Sequence, residues 1–207
     1  MKLSNIRLSK PTVVLMTLIL LVGISAFKLN DKTENNRKPR ASTEIIDSLQ
    51  SIAAFGEVYK VLMSPRCMNC HPAGDVPLQG DDSHIHAMLP KRGKDGKGIS
   101  AMKCANCHQP TNIPGPNNPP GNPKWALPPA DMKMVFEGMS PRELALQIMD
   151  YNQNGHKDKK KLIEHARDTL VKAGWTMEGR TPPPLPYDEF VKVWDTWINT
   201  GGFAPEK

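Results

Sequence analysis

The chain has 207 residues, 39% hydrophobic and 23% charged, which gives room for one modest soluble domain and excludes an enzyme with separate cofactor and substrate domains. Its net charge is +6, but residues 1–40 contain eight Lys or Arg and two Asp or Glu, so the remainder has nineteen of each sign. A body without excess positive charge indicates that nucleic acid is not the partner.

The first segment is typical of an exported protein. Residues 1–10 contain three basic side chains, and residues 11–27 are uncharged and largely apolar. We expect residues 1–27 to be either a signal peptide or an N-terminal membrane anchor, followed by a polar linker over residues 28–41. Either outcome places the body, residues 42–207, in the periplasm or on the outer face of the cytoplasmic membrane.

An amphipathic helix is predicted over residues 42–63, because apolar side chains recur there at close to the helical period. Ser42 or Thr43 is the expected N-cap. Pro65 is expected to end the helix. The helix then leads directly into the first of two cysteine motifs.

All four cysteines fall in two matching pentapeptides, Cys67–His71 and Cys104–His108, which share the pattern C-x-N-C-H. C-x-x-C-H is the signature of covalent c-type haem attachment. Two thiols three positions apart on a helical turn can add to the two vinyl groups of one porphyrin, and the histidine that follows can bind its iron. We therefore predict two covalently attached haems c. The residues are Cys67 and Cys70 with proximal ligand His71, and Cys104 and Cys107 with proximal ligand His108.

Three other uses of paired cysteines explain this pattern less well. A zinc ribbon usually separates its pairs by about 15–20 residues, whereas 33 residues separate Cys70 from Cys104. It also needs no histidine after each pair. A disulfide framework suits an exported protein but leaves both histidines unexplained. A thioredoxin-like motif requires a βαβ pattern, which the sequence lacks.

Pro- and Gly-rich loops and three further helices are predicted after the first motif. The loop over residues 110–129 is expected to cover haem edges, with Trp125 as one covering side chain. The first helix is predicted to begin at a capping box at Ser140 and to end before Gly155. The second is predicted over residues 158–173. The third is predicted over residues 187–200, where the apolar positions form an aromatic stripe. The predicted fold class is mainly α, with cytochrome c-like helices and long Pro/Gly-rich loops wrapped around two covalently bound haems.

Spacing alone does not identify the distal ligand of either iron. His165 lies at the edge of the apolar stripe of its predicted helix. His84 and His86 would point the same way from a short strand, one as a ligand and the other near a propionate. Met132 and Met134 follow a rigid Leu-Pro-Pro lead-in, like the methionine loops of small cytochromes c. These five residues are the distal candidates, and His156 is expected to be solvent-exposed.

With these residues in view, the chain resembles dihaem c-type cytochromes. More narrowly, it resembles bacterial proteins labelled as cytochrome c subunits of isoquinoline 1-oxidoreductase-type molybdenum hydroxylases. The similarity lies in four stretches, Cys67–Met88, Trp125–Pro129, Met134–Pro141 and Val171–Trp175. The resemblance implies a periplasmic acceptor that takes electrons from a molybdenum- and iron–sulfur-containing partner.

The expected function is single-electron transfer, as an electron carrier or an electron-transfer subunit of an oxidoreductase, without substrate chemistry. Its expected partners are redox proteins, a molybdenum hydroxylase among them. The alternative is a small dihaem peroxidase or a haem-based sensor, each of which requires one iron with an open coordination site. Carbon monoxide binding to the reduced protein separates these two from a six-coordinate carrier.

Overall fold

The structure is a computed structural model that describes residues 38–207, with side chains from residue 42 onward. The predicted leader, residues 1–27, and the first ten residues of the predicted linker lie outside the described residues. Within the described chain, no helix has both the length and the apolar character needed to cross a membrane. Residues 47–207 form one compact unit.

Helices are the main regular elements, and there is little sheet. The α-helices are α1 (Lys38–Leu62), α2 (Pro65–Met68), α3 (Pro141–Met149), α4 (Lys159–His165), α5 (Thr169–Lys172) and α6 (Tyr187–Asn199). Two antiparallel hairpins pair β1 (Leu78–Gln79) with β2 (His84–Ile85), and β3 (Gly98–Ile99) with β4 (Met102–Lys103). Single 3₁₀ turns span Cys104–Asn106 and Ala173–Trp175. The prediction of helices and long loops with little sheet is confirmed at this level.

The first motif lies on a separate short helix rather than after the end of α1. The predicted N-cap at Ser42 or Thr43 is wrong, because α1 already begins at Lys38. As predicted, α1 ends just before Pro65, since Ser64 is extended with φ −67° and ψ 150°, and Pro65 is also the first residue of α2. Proline is favoured there because the first turn of a helix leaves its backbone N–H groups unpaired in any case.

Local capping explains where the later helices begin. The predicted capping box is confirmed, since the Glu143 amide donates to Ser140 Oγ at 3.3 Å and the Ser140 amide donates to Glu143 Oε2 at 2.9 Å. The single helix predicted over residues 158–173 is instead two helices, α4 and α5. Asp168 breaks it, because its carboxylate accepts the Leu170 amide at 3.0 Å and caps α5.

The aromatic stripe of α6 forms one side of the hydrophobic core, as predicted. Its buried members are Phe190, Trp194, Trp197 and Ile198. Phe55 of α1 packs on Trp197 with ring centroids 4.6 Å apart. Trp194 Nε1 donates to the Leu162 carbonyl of α4 at 3.0 Å. Tryptophan can be buried here because its N–H has a partner.

This core extends to the first cysteine motif. Phe136 is buried within it, and Cys67 and Met68 pack against it. Among the described residues, no member of the second motif belongs to the core. The second motif instead follows the hairpin of β3 and β4, where the Cys104 amide donates to the Lys97 carbonyl at 3.1 Å.

Candidate functional site

The first motif holds His71 with one ring nitrogen engaged. The Cys70 amide donates to the Cys67 carbonyl at 3.2 Å, and the His71 amide donates to the Met68 carbonyl at 2.9 Å. These bonds form the helical turn that was predicted. His71 Nδ1 lies 2.6 Å from the Met134 carbonyl oxygen. Because a carbonyl oxygen can only accept, Nδ1 carries the proton and Nε2 keeps a lone pair for a metal ion.

An aromatic ring fixes the orientation of this imidazole. His71 stacks on Phe136 with ring centroids 3.9 Å apart and planes 4° from parallel. The Phe136 amide also donates to the His71 carbonyl at 2.9 Å. Burial lowers the pKa of His71 to about 4, so the ring is neutral at neutral pH. Neutral imidazole is the form that binds metals.

The second motif repeats this arrangement on a 3₁₀ turn. The His108 amide donates to the Cys104 carbonyl at 2.9 Å. His108 Nδ1 lies 2.8 Å from the Pro120 carbonyl oxygen, which again leaves the Nε2 lone pair available. The ring stacks on Trp125 with centroids 4.1 Å apart and planes 11° from parallel. Burial lowers the pKa of His108 as well.

From the sequence, Trp125 is predicted only as a covering side chain, and the other partners of the two histidines are not predicted. The carbonyls of Met134 and Pro120 and the ring of Phe136 are contributed by segments outside the motifs. Carbonyl acceptors of this kind set the tautomer and orientation of a ligating histidine. The available signal was an aromatic residue in each segment, and the Pro- and Gly-rich composition of the segment around Pro120.

Met134 contacts His71 through its backbone. Its φ of 46° is unusual for a residue other than glycine. Such backbone conformations are held in place by their surroundings and concentrate at functional sites. Since the carbonyl of Met134 bonds to Nδ1, this residue lies on the side of His71 away from the ligating Nε2. Met132, the other methionine candidate, lies beside Gly155.

Both motifs open onto one cavity of about 590 Å³. The second motif contributes Cys104, Cys107 and His108 to its wall, and the first motif contributes Cys70. The volume lies in the range of ligand-binding pockets, roughly 300–1,000 Å³. Mostly apolar residues complete the lining, among them Leu78, Met102, Trp125 and Leu127.

Of the two histidines near β2, His86 lies on the cavity wall and His84 does not. The ring centroids of His86 and His108 are 6.5 Å apart, with planes at 69°. Two imidazoles that bind one metal ion from opposite sides, each at about 2 Å, have centroids roughly 6 Å apart. His84 is exposed, and its Nδ1 lies 2.6 Å from Asp82 Oδ1. The expectation that the side chains of His84 and His86 point the same way is not met, because β2 ends at Ile85 and His86 lies beyond it.

His165 lies in the last turn of α4, within electrostatic reach of His71. Its positive form would lower the pKa of His71, after the larger effect of burial. His165 is solvent-exposed on one side, whereas the protein packed around its other sides lowers its own pKa by desolvation. His156 is exposed, as predicted, and its ring lies 5.1 Å from that of Tyr151.

The thiols and the unpaired polar atoms show which group the residues could hold. All four cysteines are free thiols, and burial raises the pKa of Cys67 to about 12 and that of Cys70 to about 11. Across residues 38–207, no three His, Cys, Asp or Glu side chains converge as a metal-binding cluster. The donors of each motif, two free thiols and a histidine with its Nε2 lone pair available, are those that covalent attachment and axial ligation of a haem use. Buried Arg66 Nε and Asn69 Oδ1 lack hydrogen-bond partners and line the cavity.

Comparison with known proteins finds no family model, no curated protein and no solved structure that matches this chain. The resemblance to dihaem cytochromes c therefore depends on the residues quoted above. The function of the site has to be inferred from its own chemistry and geometry.

Proposed function

We propose that the chain is an exported dihaem cytochrome c that carries single electrons between redox proteins. In this proposal its helices and Pro/Gly-rich loops wrap two covalently attached haems c. The observation that carries the proposal is the matched geometry of His71 and His108. Each histidine follows two thiols on a helical turn, donates Nδ1–H to a carbonyl, and stacks on an aromatic ring.

The contribution of the chain is to hold neutral imidazoles in a fixed orientation. The carbonyls of Met134 and Pro120 keep the proton on Nδ1, which directs Nε2 toward the iron. The flat stacks on Phe136 and Trp125 restrict rotation of the rings. A bound haem supplies reversible one-electron oxidation and reduction of its iron. Cys70 and Cys104 line the same cavity, so one proposed attachment point of each haem lies at that cavity.

We propose His86 as the distal ligand opposite His108, and His165 as the distal ligand opposite His71. The distance between the rings of His86 and His108 favours His86 over His84. Met134 bonds to Nδ1 of His71 through its carbonyl and so lies on the side away from Nε2, which leaves His165 as the remaining histidine candidate for that iron. The Met88 amide contacts His86 Nδ1 at 3.3 Å. This contact has to break on ligation, because Nε2 is available only when Nδ1 carries the proton.

Two distal histidines leave neither iron with an open position. This favours a carrier over a peroxidase or a sensor. The proposed electron donor, a periplasmic molybdenum-containing dehydrogenase or hydroxylase, follows from the resemblance of the sequence. The proposed location is the periplasm or the outer face of the cytoplasmic membrane, and anchoring depends on whether residues 1–27 are cleaved.

Haem attachment is tested by the mass of the exported protein, produced in cells competent in cytochrome maturation. The expected mass is that of the chain plus two haems. Cys70→Ala and Cys107→Ala are each expected to leave one covalent haem and to reduce stability. Gln109→Ala changes an exposed residue beside the second motif and is expected to retain both haems. Unmodified thiols, or bound zinc, would overturn the proposal.

The distal ligands are tested by low-temperature electron paramagnetic resonance and by carbon monoxide. We expect signals of two bis-histidine irons and no carbon monoxide binding to the reduced native protein. His86→Ala and His165→Ala are each expected to open one iron to carbon monoxide, whereas His84→Ala is not. Carbon monoxide binding to the native protein would instead favour the peroxidase or sensor.

A further inference from the structure

Arg66 is a buried cation with one donor unused. Its side chain is 4% exposed. Nη2 donates to the Gly80 carbonyl at 2.9 Å and to Asp81 Oδ1 at 2.6 Å. Nε–H has no partner. A buried donor left unpaired costs about 1–3 kcal/mol, so an acceptor that reaches Nε after a small movement of the side chain would recover that cost.

A second guanidinium, that of Arg180, lies near Arg66 but does not pair with Asp81, the only carboxylate bound to Arg66 in the described chain. Asp81 Oδ2 accepts the Thr181 amide at 2.9 Å and Thr181 Oγ1 at 2.7 Å. Arg180 precedes Thr181, and no ion pair forms at Arg180 within residues 38–207. Repulsion from Arg180 acts on Arg66. The surroundings of Arg66 therefore contain two guanidinium groups, its own and that of Arg180, and one partly exposed carboxylate, that of Asp81.

The unbalanced charge faces the cavity. Arg66 and Arg180 both line it, together with Cys104, Cys107 and His108 of the second motif. Two other charged side chains line the cavity, Lys103 and Glu178, and their charges offset each other. The positive surplus at the wall therefore fits a ligand that brings its own carboxylate, since guanidinium binds carboxylate with parallel hydrogen bonds.

We propose that Arg66 and Arg180 bind a carboxylate of the haem attached at the second motif. This rests on the proposed function. The two carboxylates of haem lie on the porphyrin edge opposite the vinyl carbons that receive the thiols. Arg66 immediately precedes Cys67, so it lies at the attachment edge of the first haem and not at its carboxylate edge. A haem held by Cys104 and Cys107 would instead occupy the cavity that Arg66 and Arg180 line.

The test combines haem counting with redox titration of Arg180→Gln, Arg66→Gln and the charge-retaining Arg66→Lys. Removing a positive charge beside the second haem favours its oxidised form. The midpoint potential of that haem is therefore expected to fall in both glutamine variants and to fall less in Arg66→Lys, with the first haem nearly unchanged in Arg180→Gln. The control is Arg167→Gln, which removes an exposed ion pair with Asp195 and is expected to move neither potential.

Two results would overturn the assignment in distinguishable ways. A native protein without two covalent haems would remove the proposed function and this pair with it. Two haems in the native protein, with an unchanged second midpoint in Arg180→Gln, would remove the pair alone. Arg180 is only half-buried, so its glutamine variant answers the question even if Arg66→Gln does not fold.

Discussion

The two cysteine motifs have the same chemistry and different surroundings. In each, a histidine donates Nδ1–H to a carbonyl and stacks on an aromatic ring. The first motif lies on α2 against the hydrophobic core, with Phe136 6% exposed. The second follows a short hairpin, with Cys107 exposed and Trp125 half-buried. Each five-residue motif therefore forms the same turn, and the rest of the chain supplies the carbonyl and the ring at both sites but buries the two sites unequally.

This difference has a consequence for electron transfer. Burial is one of the properties by which a protein sets the reduction potential of a haem. Under the proposed function, two haem sites with the same proximal ligand and unequal burial would have unequal reduction potentials within one chain. The difference between the two sites can be tested at the two stacking rings, at Gly121 beside the second motif, and at the asparagine that both motifs share.

The largest effect is expected for the two stacking rings. Phe136→Ala removes a buried core ring and is expected to lower the free energy of unfolding by about 3–5 kcal/mol. Trp125→Ala removes a half-buried ring outside the core and is expected to cost roughly 1–2 kcal/mol. Guanidinium unfolding of the purified protein measures both. Phe136→Leu keeps most of the burial and isolates the stack. Equal costs at Phe136 and Trp125 would contradict the unequal burial of the two sites.

A smaller effect is expected for a close backbone approach beside the second motif. A methyl group on Gly121 would collide with the carbonyl oxygens of Thr111 and Gln109. Gly121→Ala is therefore expected to cost about 1–3 kcal/mol and to disturb the spectrum of the second haem alone, since Pro120 is its neighbour. The matched control is Gly56→Ala at an exposed position of α1, where no atom lies within 4 Å of the new methyl group. It is expected to stabilise by about 0.5–1 kcal/mol. A change in the first haem would show that the two sites are not locally independent.

The smallest effect is expected at the asparagine that both motifs share. Asn69 is buried, and its Nδ2 donates to the Gly80 carbonyl at 2.9 Å. Asn69→Ala is expected to cost about 1 kcal/mol. Asn106 is exposed, and Asn106→Ala is expected to stay within about 0.5 kcal/mol. Thermal and denaturant unfolding give both values. An equal loss at Asn106 would show that asparagine is needed by the motif itself and not by its surroundings.

Features that depend on a few neighbouring residues could be predicted. The capping box at Ser140, the buried stripe of α6 and the helical turns of both motifs follow from local spacing. Local spacing failed where a competing local signal was overlooked. Asp168 interrupts a regular apolar pattern, and Pro65 starts a helix as well as ending one. Asp is favoured at the N-cap of a helix and Pro in its first turn. Each residue therefore starts a new helix rather than extending the preceding helix.

By itself, the sequence determined the pair of C-x-N-C-H motifs and therefore which thiols and histidines can share one porphyrin, because covalent spacing along a helical turn is nearly invariant. Only the tertiary structure decided which carbonyls hold the imidazoles, which of His84 and His86 faces His108, and that Arg66 and Arg180 meet at one cavity. His71 and Met134 are separated by 63 positions and His108 and Pro120 by 12. Contacts over such separations depend on the path of Pro- and Gly-rich loops and on what the core leaves exposed, and no local pattern encodes that path.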